Sequence, residues 1–189
     1  MKVALTGGIA CGKSLLSNFL RELGVETIDA DDVVHELIPD PAERRRIAAE
    51  VFADPEKRRA LEAKIHPLVK ERIDQWFDRT NGTGACPGSP GGLGGPVRVA
   101  IIPLLFEAHW EKNFDIICCV VSSREKQIER MMTTRGMTLT EAEARLAAQM
   151  PVEEEARRSQ YVIRNDGTAE ELRAEAQKLV DWLSTTNPA

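Results

Sequence analysis

Short apolar runs alternate along this chain with stretches whose apolar residues recur at helical spacing. Lys2-Val3-Ala4-Leu5-Thr6 reads as a buried strand, and Val25 to Ile28, Val97 to Pro103, Ile116 to Val121 and Tyr161-Val162-Ile163 read the same way. Between the first two, Lys13 to Leu23 places Leu15, Leu16, Phe19, Leu20 and Leu23 on one helical face, and Gly24 stands as a stop. Val33 to Arg79 is helical and highly charged; Pro39 and Pro41 punctuate its beginning, and Pro67 is expected to start or kink a helix. Helices are expected at about 123–133, 139–149 and 152–158, with Thr140-x-x-Glu143 as a capping box for the middle one. Thr168-x-x-Glu171 caps a last amphipathic helix carrying Leu172, Leu179, Val180 and Leu183. Strands that alternate with helices predict an α/β domain with a parallel sheet of about five strands.

Residues 81–96 break the pattern with seven glycines and three prolines, and read as a surface loop or insertion. The sequon-like Asn81-Gly82-Thr83 lies in it. The bulk numbers narrow the class. A length of 189 residues, 42% hydrophobic and 29% charged, suits one soluble domain. A net charge of −5 argues against a dedicated nucleic-acid binder. No apolar run reaches the roughly 20 residues of a membrane span, and a signal peptide is not expected, since the first residues lead straight into a motif. Cys11, Cys86, Cys118 and Cys119 lack metal-ligand spacing, and the adjacent pair reads as buried strand residues. The expectation is a cytoplasmic protein.

Gly7-Gly8-Ile9-Ala10-Cys11-Gly12-Lys13-Ser14 matches G-x-x-x-x-G-K-[ST] between a predicted strand and a predicted helix. A chance match in this length is on the order of 1%. Glycines let successive N–H groups turn inward around phosphate oxygens, and the helix that follows points its positive end at them. Lys13 is expected on the β and γ phosphates of a nucleoside triphosphate and the Ser14 hydroxyl on Mg²⁺. Such a loop does not by itself separate kinases from other nucleotidases. Asp29 and Asp31 close the second strand, two apart, and read as carboxylates on one face, one of them able to take a proton from an acceptor hydroxyl. The competing reading makes them turn and helix-cap residues. No guanine-type N-K-x-D motif follows. Arg124, Arg130, Arg135, Arg145, Arg157, Arg158 and Arg164 crowd the later helices, where a closing lid could bring charge to the transferred phosphoryl, although most such arginines serve solvated helix faces.

With these residues in view the chain resembles the dephospho-CoA kinase family. The likeness rests on Leu5-Thr-Gly-Gly-Ile9, Gly12-Lys-Ser14, Ile28-Asp-Ala-Asp31, Ile65-His-Pro-Leu-Val69, Pro103-Leu-Leu-Phe-Glu107, Glu141 to Gln149 and Tyr161 to Gly167. It implies a P-loop NTPase-type core (1–32, 97–122, 160–189), a helical acceptor-binding region (33–80) and a lid (124–158). It implies transfer of the ATP γ-phosphate to the 3′-hydroxyl of dephospho-CoA by a monomer. It further implies Asp31 as general base with Lys13 and Arg145 in catalysis. Gly8 to Leu15 and Asn165 would meet the nucleotide, Asn165 in the adenine pocket. Asp29, Asp31, His66, Leu104 and Glu107 would lie toward the acceptor. Leu15 stands where the family usually has threonine, Thr134 where it commonly has arginine, and the segment between His35 and Arg44 is shorter than usual. Another small-molecule kinase, of the nucleoside monophosphate type, and a degenerate nucleotide-binding regulator remain the alternatives; dependence of ATP consumption on the acceptor separates them.

Overall fold

The computed structural model of the chain describes residues 1–79 and 97–186. The expectations for the glycine-rich stretch, Cys86 and the sequon lie outside these residues. The described chain falls into two compact units, Met1–Thr27 with Thr83–Ala189, and Ile28–Gly82.

The first unit is built on a sheet of order β2-β3-β1-β4-β5, with β1 Val3–Thr6, β2 Glu26–Asp29, β3 Arg98–Ile101, β4 Ile116–Val121 and β5 Tyr161–Arg164; Ile28 and Asp29, at the end of β2, already belong to the second unit. Parallel pairing sets Val3 beside Val99 and Ile116, and Cys118 beside Tyr161. All four residues of β1 and all six of β4 are buried, which is why they read as unbroken apolar runs: a parallel sheet covered on both faces leaves no polar side. Cys118 and Cys119 are buried there as expected.

Helix α1 (Lys13–Glu22) buries Leu16, Phe19 and Leu20, spaced to share one face. Leu15, expected on that face, is 40% exposed beside the phosphate loop. The last helix, α8 (Ala169–Thr185), packs on α1 and buries Leu172, Ala176, Leu179 and Leu183 in the same core. Its capping box is Thr168 with Glu171, as expected. Each fully buried leucine of this core contributes roughly 1.5–3 kcal/mol.

Three helices lie between β4 and β5: α5 (Arg124–Arg135), α6 (Leu139–Ala147) and α7 (Val152–Arg157). The capping box of α6 is formed by Thr138 and Glu141. Thr140 and Glu143 satisfy the same pattern two residues later. Gly136 ends α5 in the left-handed region, at φ 64°, so the next helix starts at the earlier of the two threonines.

The second unit holds α2 (Ala30–Leu37), α3 (Pro41–Ala53) and α4 (Pro55–Asp78), with both α2 and α3 against α4. Asp40 and Asp54 cap α3 and α4, each followed by proline at the first helical position, where its missing N–H costs nothing. Pro67, expected to start or kink a helix, does not start one but lies inside α4. The Asp54-Pro55 start is the stronger signal, and one proline removes only one bond from a helix of 24 residues.

Candidate functional site

The loop between β1 and α1 needs unusual backbone. Gly7 (φ 140°) and Gly12 (φ 98°) lie in the left-handed region, and a Cβ on Gly12 would stand 2.2 Å from Asn165 Nδ2. Ala10, without glycine's freedom, also has a positive φ of 59°. Such a conformation persists only when its surroundings hold it.

What holds it is a set of side chains that seize the loop's carbonyls. Lys13 Nζ donates to Gly7 O and, at 3.0 Å, to Gly8 O. Gln127 Nε2 donates to Ile9 O at 2.7 Å. Arg130 Nη1 donates to Ala10 O at 3.2 Å, and Asn165 Nδ2 to Cys11 O at 2.8 Å. With these carbonyls occupied, the peptides are fixed in orientation before any anion arrives, which is the preorganisation an anion nest needs. Cys11 itself is fully buried, and burial pushes its thiol above the usual range.

The clamps are braced in turn. Arg130 also reaches Ser122 Oγ at 2.9 Å and Asn165 O at 2.8 Å, while Ser122 Oγ donates to Asn165 O at 2.6 Å. Asn165, expected in the adenine pocket, is only 5% exposed and its amide is engaged with the loop backbone. Lys13 and Ser14 open α1, Ser14 exposed at its N-terminus.

A cleft of about 400 Å³ opens beside the loop, lined by Gly8, Gln127, Leu146, Gln149 and Val152 among others. Glu155 on α7 is 1% exposed and accepts from the Cys119 thiol at 3.7 Å. Burial first, and the Glu107 charge second, push its carboxyl up to about 7; Lys13 pulls the other way. Glu107 and Leu104, expected toward the acceptor, are half-buried in this unit. Glu107 Oε1 accepts from Met150 N–H at 3.0 Å, and its buried Oε2 has no hydrogen-bond partner.

Of the arginines, Arg124 pairs with Glu143, Arg157 with Glu154, Arg158 with Glu111 and Arg164 with Asp166. Arg158 also lies 4.3 Å over the Phe106 ring. Arg145 is exposed on the last turn of α6, and Arg135 is the last residue of α5.

In the second unit Asp29 Oδ1 accepts from Asp31 N–H at 2.9 Å and caps α2. The shared strand face expected for the two carboxylates therefore does not exist: Asp31 is already helical, in the first turn of α2, and exposed. His66 is half-buried on α4.

Gln127, Gln149, Ser122 and Glu155 were not singled out from the sequence. Gln127 left one signal, a polar residue four before buried Met131 on the inner face of α5.

Comparison with known proteins gives consistent results. The dephospho-CoA kinase family matches residues 1–43 and 41–171, two stretches that meet at the segment read as shortened. A dephospho-CoA kinase of Geobacter sulfurreducens is 36% identical over 198 residues, covering 94% of this chain and 95% of its own. A solved protein of Thermus thermophilus superposes with a TM-score of 0.76 at 29% identity, covering 100% of this chain and 98% of the other. A shikimate kinase of Acinetobacter baumannii shares the fold at a TM-score of 0.62 and 16% identity, covering 100% of this chain and 95% of its own.

Proposed function

The chain belongs to the dephospho-CoA kinase family, and from that membership we propose how its residues divide the work. The chain transfers the terminal phosphoryl group of ATP to the 3′-hydroxyl of dephospho-CoA and so produces coenzyme A. The observation that best supports a phosphoryl-transfer site is the loop of residues 7–14, whose carbonyls at Gly7 to Cys11 are each held by a side chain.

In our reading the N–H groups of the later part of this loop and of the first turn of α1 take the phosphate oxygens of ATP, while the Ile9 N–H stays with Gln149. Lys13 exchanges its loop carbonyls for the β and γ phosphates and neutralises charge in the ground and transition states. The exposed Ser14 hydroxyl fits Mg²⁺ chemically, as a hard oxygen donor at the start of α1; the ion, when bound, draws charge from the β and γ phosphates. Asn165 serves the nucleotide through Cys11 as well as through any contact with the base. Arg145, on α6, supplies positive charge to the transferred phosphoryl.

Asp31 takes the 3′-hydroxyl proton as the oxygen attacks phosphorus. It follows β2 immediately, and open α/β sheets place their ligands beyond the carboxyl ends of the strands. Asp29, by capping α2, holds the turn that presents Asp31. Leu104, Glu107 and His66 remain assigned to the acceptor side on family likeness, Glu107 acting by fixing Met150. No helix among the described residues is long and apolar enough to cross a membrane. We place the protein in the cytoplasm as a monomer; the buried free thiols of Cys11, Cys118 and Cys119 suit a reducing compartment.

Asp31→Asn tests the base. It should leave the ATP dissociation constant within about twofold and lower kcat with dephospho-CoA by about a hundredfold or more. An unchanged kcat removes Asp31 from the role.

A further inference from the structure

Ile9 is held at both its backbone N–H and its backbone carbonyl by glutamine side chains from outside the loop. Ile9 N–H donates to Gln149 Oε1 at 2.9 Å, and Gln127 Nε2 donates to Ile9 O at 2.7 Å. Gln127, 4% exposed, stands on α5; Gln149 stands two residues beyond α6. The next residue is fastened too, through Met150 N–H on Glu107 Oε1.

Helix α6 lies against α5 but is thinly packed. It buries one residue, Ala142, and its ion pair Glu143–Arg124 is exposed on both sides, so that it contributes little. A nine-residue helix is marginal without packing. The hydrogen bond at Ile9 is of a different kind: it joins half-buried partners 140 positions apart. The peptide it grips, Gly8–Ile9, is also held at Gly8 O by Lys13 at 3.0 Å, and the peptide after it is held by Gln127 and leads into Ala10, whose backbone is already strained.

We infer that Gln149 is a positioning residue: its carboxamide ties the end of α6 to the phosphate loop and thereby sets where Arg145, four residues earlier, stands during phosphoryl transfer. The inference rests on the kinase reading and on the part that reading gives Arg145. Its physical basis is that transfer depends on placement to a fraction of an ångström, which a loosely packed helix does not deliver.

The test compares Gln149→Met, which keeps the length and loses the acceptor oxygen, with Arg145→Ala and the double variant. Each is assayed for kcat with dephospho-CoA, for the ATP dissociation constant and for Tm. Gln149→Met should lower kcat about tenfold or more while ATP affinity stays within about threefold and Tm within a few degrees. The double variant should be no slower than Arg145→Ala alone, because the glutamine acts through the arginine. Wild-type kcat in Gln149→Met, or losses that multiply in the double variant, overturn the inference. Unchanged kcat in Arg145→Ala removes the arginine's role and the inference with it, whereas an inactive wild type strikes at the kinase reading itself.

Discussion

A backbone N–H attracts phosphate only when its peptide is turned the right way. In this chain the turning is done by side chains far away in sequence: Gln127 reaches back 118 positions to Ile9, and Asn165 reaches 154 positions to Cys11. Asn165→Ala should therefore weaken ATP binding although the residue is buried. Loss of one buried hydrogen bond costs about 1–1.5 kcal/mol, so the dissociation constant measured by titration calorimetry should rise about tenfold. An unchanged constant contradicts the clamp. This also explains which residues were legible beforehand. Lys13 and Ser14 belong to a contiguous motif whose spacing encodes its geometry. The carbonyl clamps are separate polar residues on helix and strand ends, and nothing local says that they meet. Asp29 and Asp31 were half legible: strand periodicity put them on one face, but Asp29's own capping bond converts the next residues to helix.

At the scale of elements, strands and helices followed from apolar spacing because packing and periodicity agree there. They diverged where two signals competed, as at Thr138 and Thr140 or at Pro55 and Pro67. Helix α7 carries a feature no periodicity predicts, since it docks on β4 with the Glu155 carboxyl against Cys119. The groups that act on that carboxyl are Glu107, Lys13 and Cys119. Its value of about 7 in the fold stands above the ordinary 4.5, so the folded state binds the proton more tightly than the unfolded one. Stability from this residue is complete below about pH 4.5, declines as pH rises, and by pH 8 the ionised form costs about 3 kcal/mol. Glu155→Gln should raise Tm by several degrees at pH 8 and by little at pH 5. Equal shifts at both pH values in a thermal melt contradict the account.

For the whole molecule, the helical unit of residues 28–82 and the sheet unit carry different assignments. In the proposed reading the sheet unit handles phosphate through the loop that its own hydrogen bonds hold, and the acceptor and the Asp31 base rest on family membership and on the place of Asp31 after β2. The fold was legible because β1 and β4 are buried runs and β3 nearly so, whereas the acceptor's identity came from motif likeness, since no local chemistry in the chain spells out a 3′-hydroxyl. The segment between His35 and Arg44, read from the sequence as shorter than the family's, makes the acceptor the place where function is most exposed to test. The decisive measurement is the rate of ADP formation by the purified chain with ATP and Mg²⁺, with and without dephospho-CoA, with coenzyme A identified as the product. The account predicts turnover that requires dephospho-CoA and yields one coenzyme A per ADP. Turnover only with a nucleoside monophosphate or another small acceptor, or ATP binding without transfer to dephospho-CoA, would contradict it.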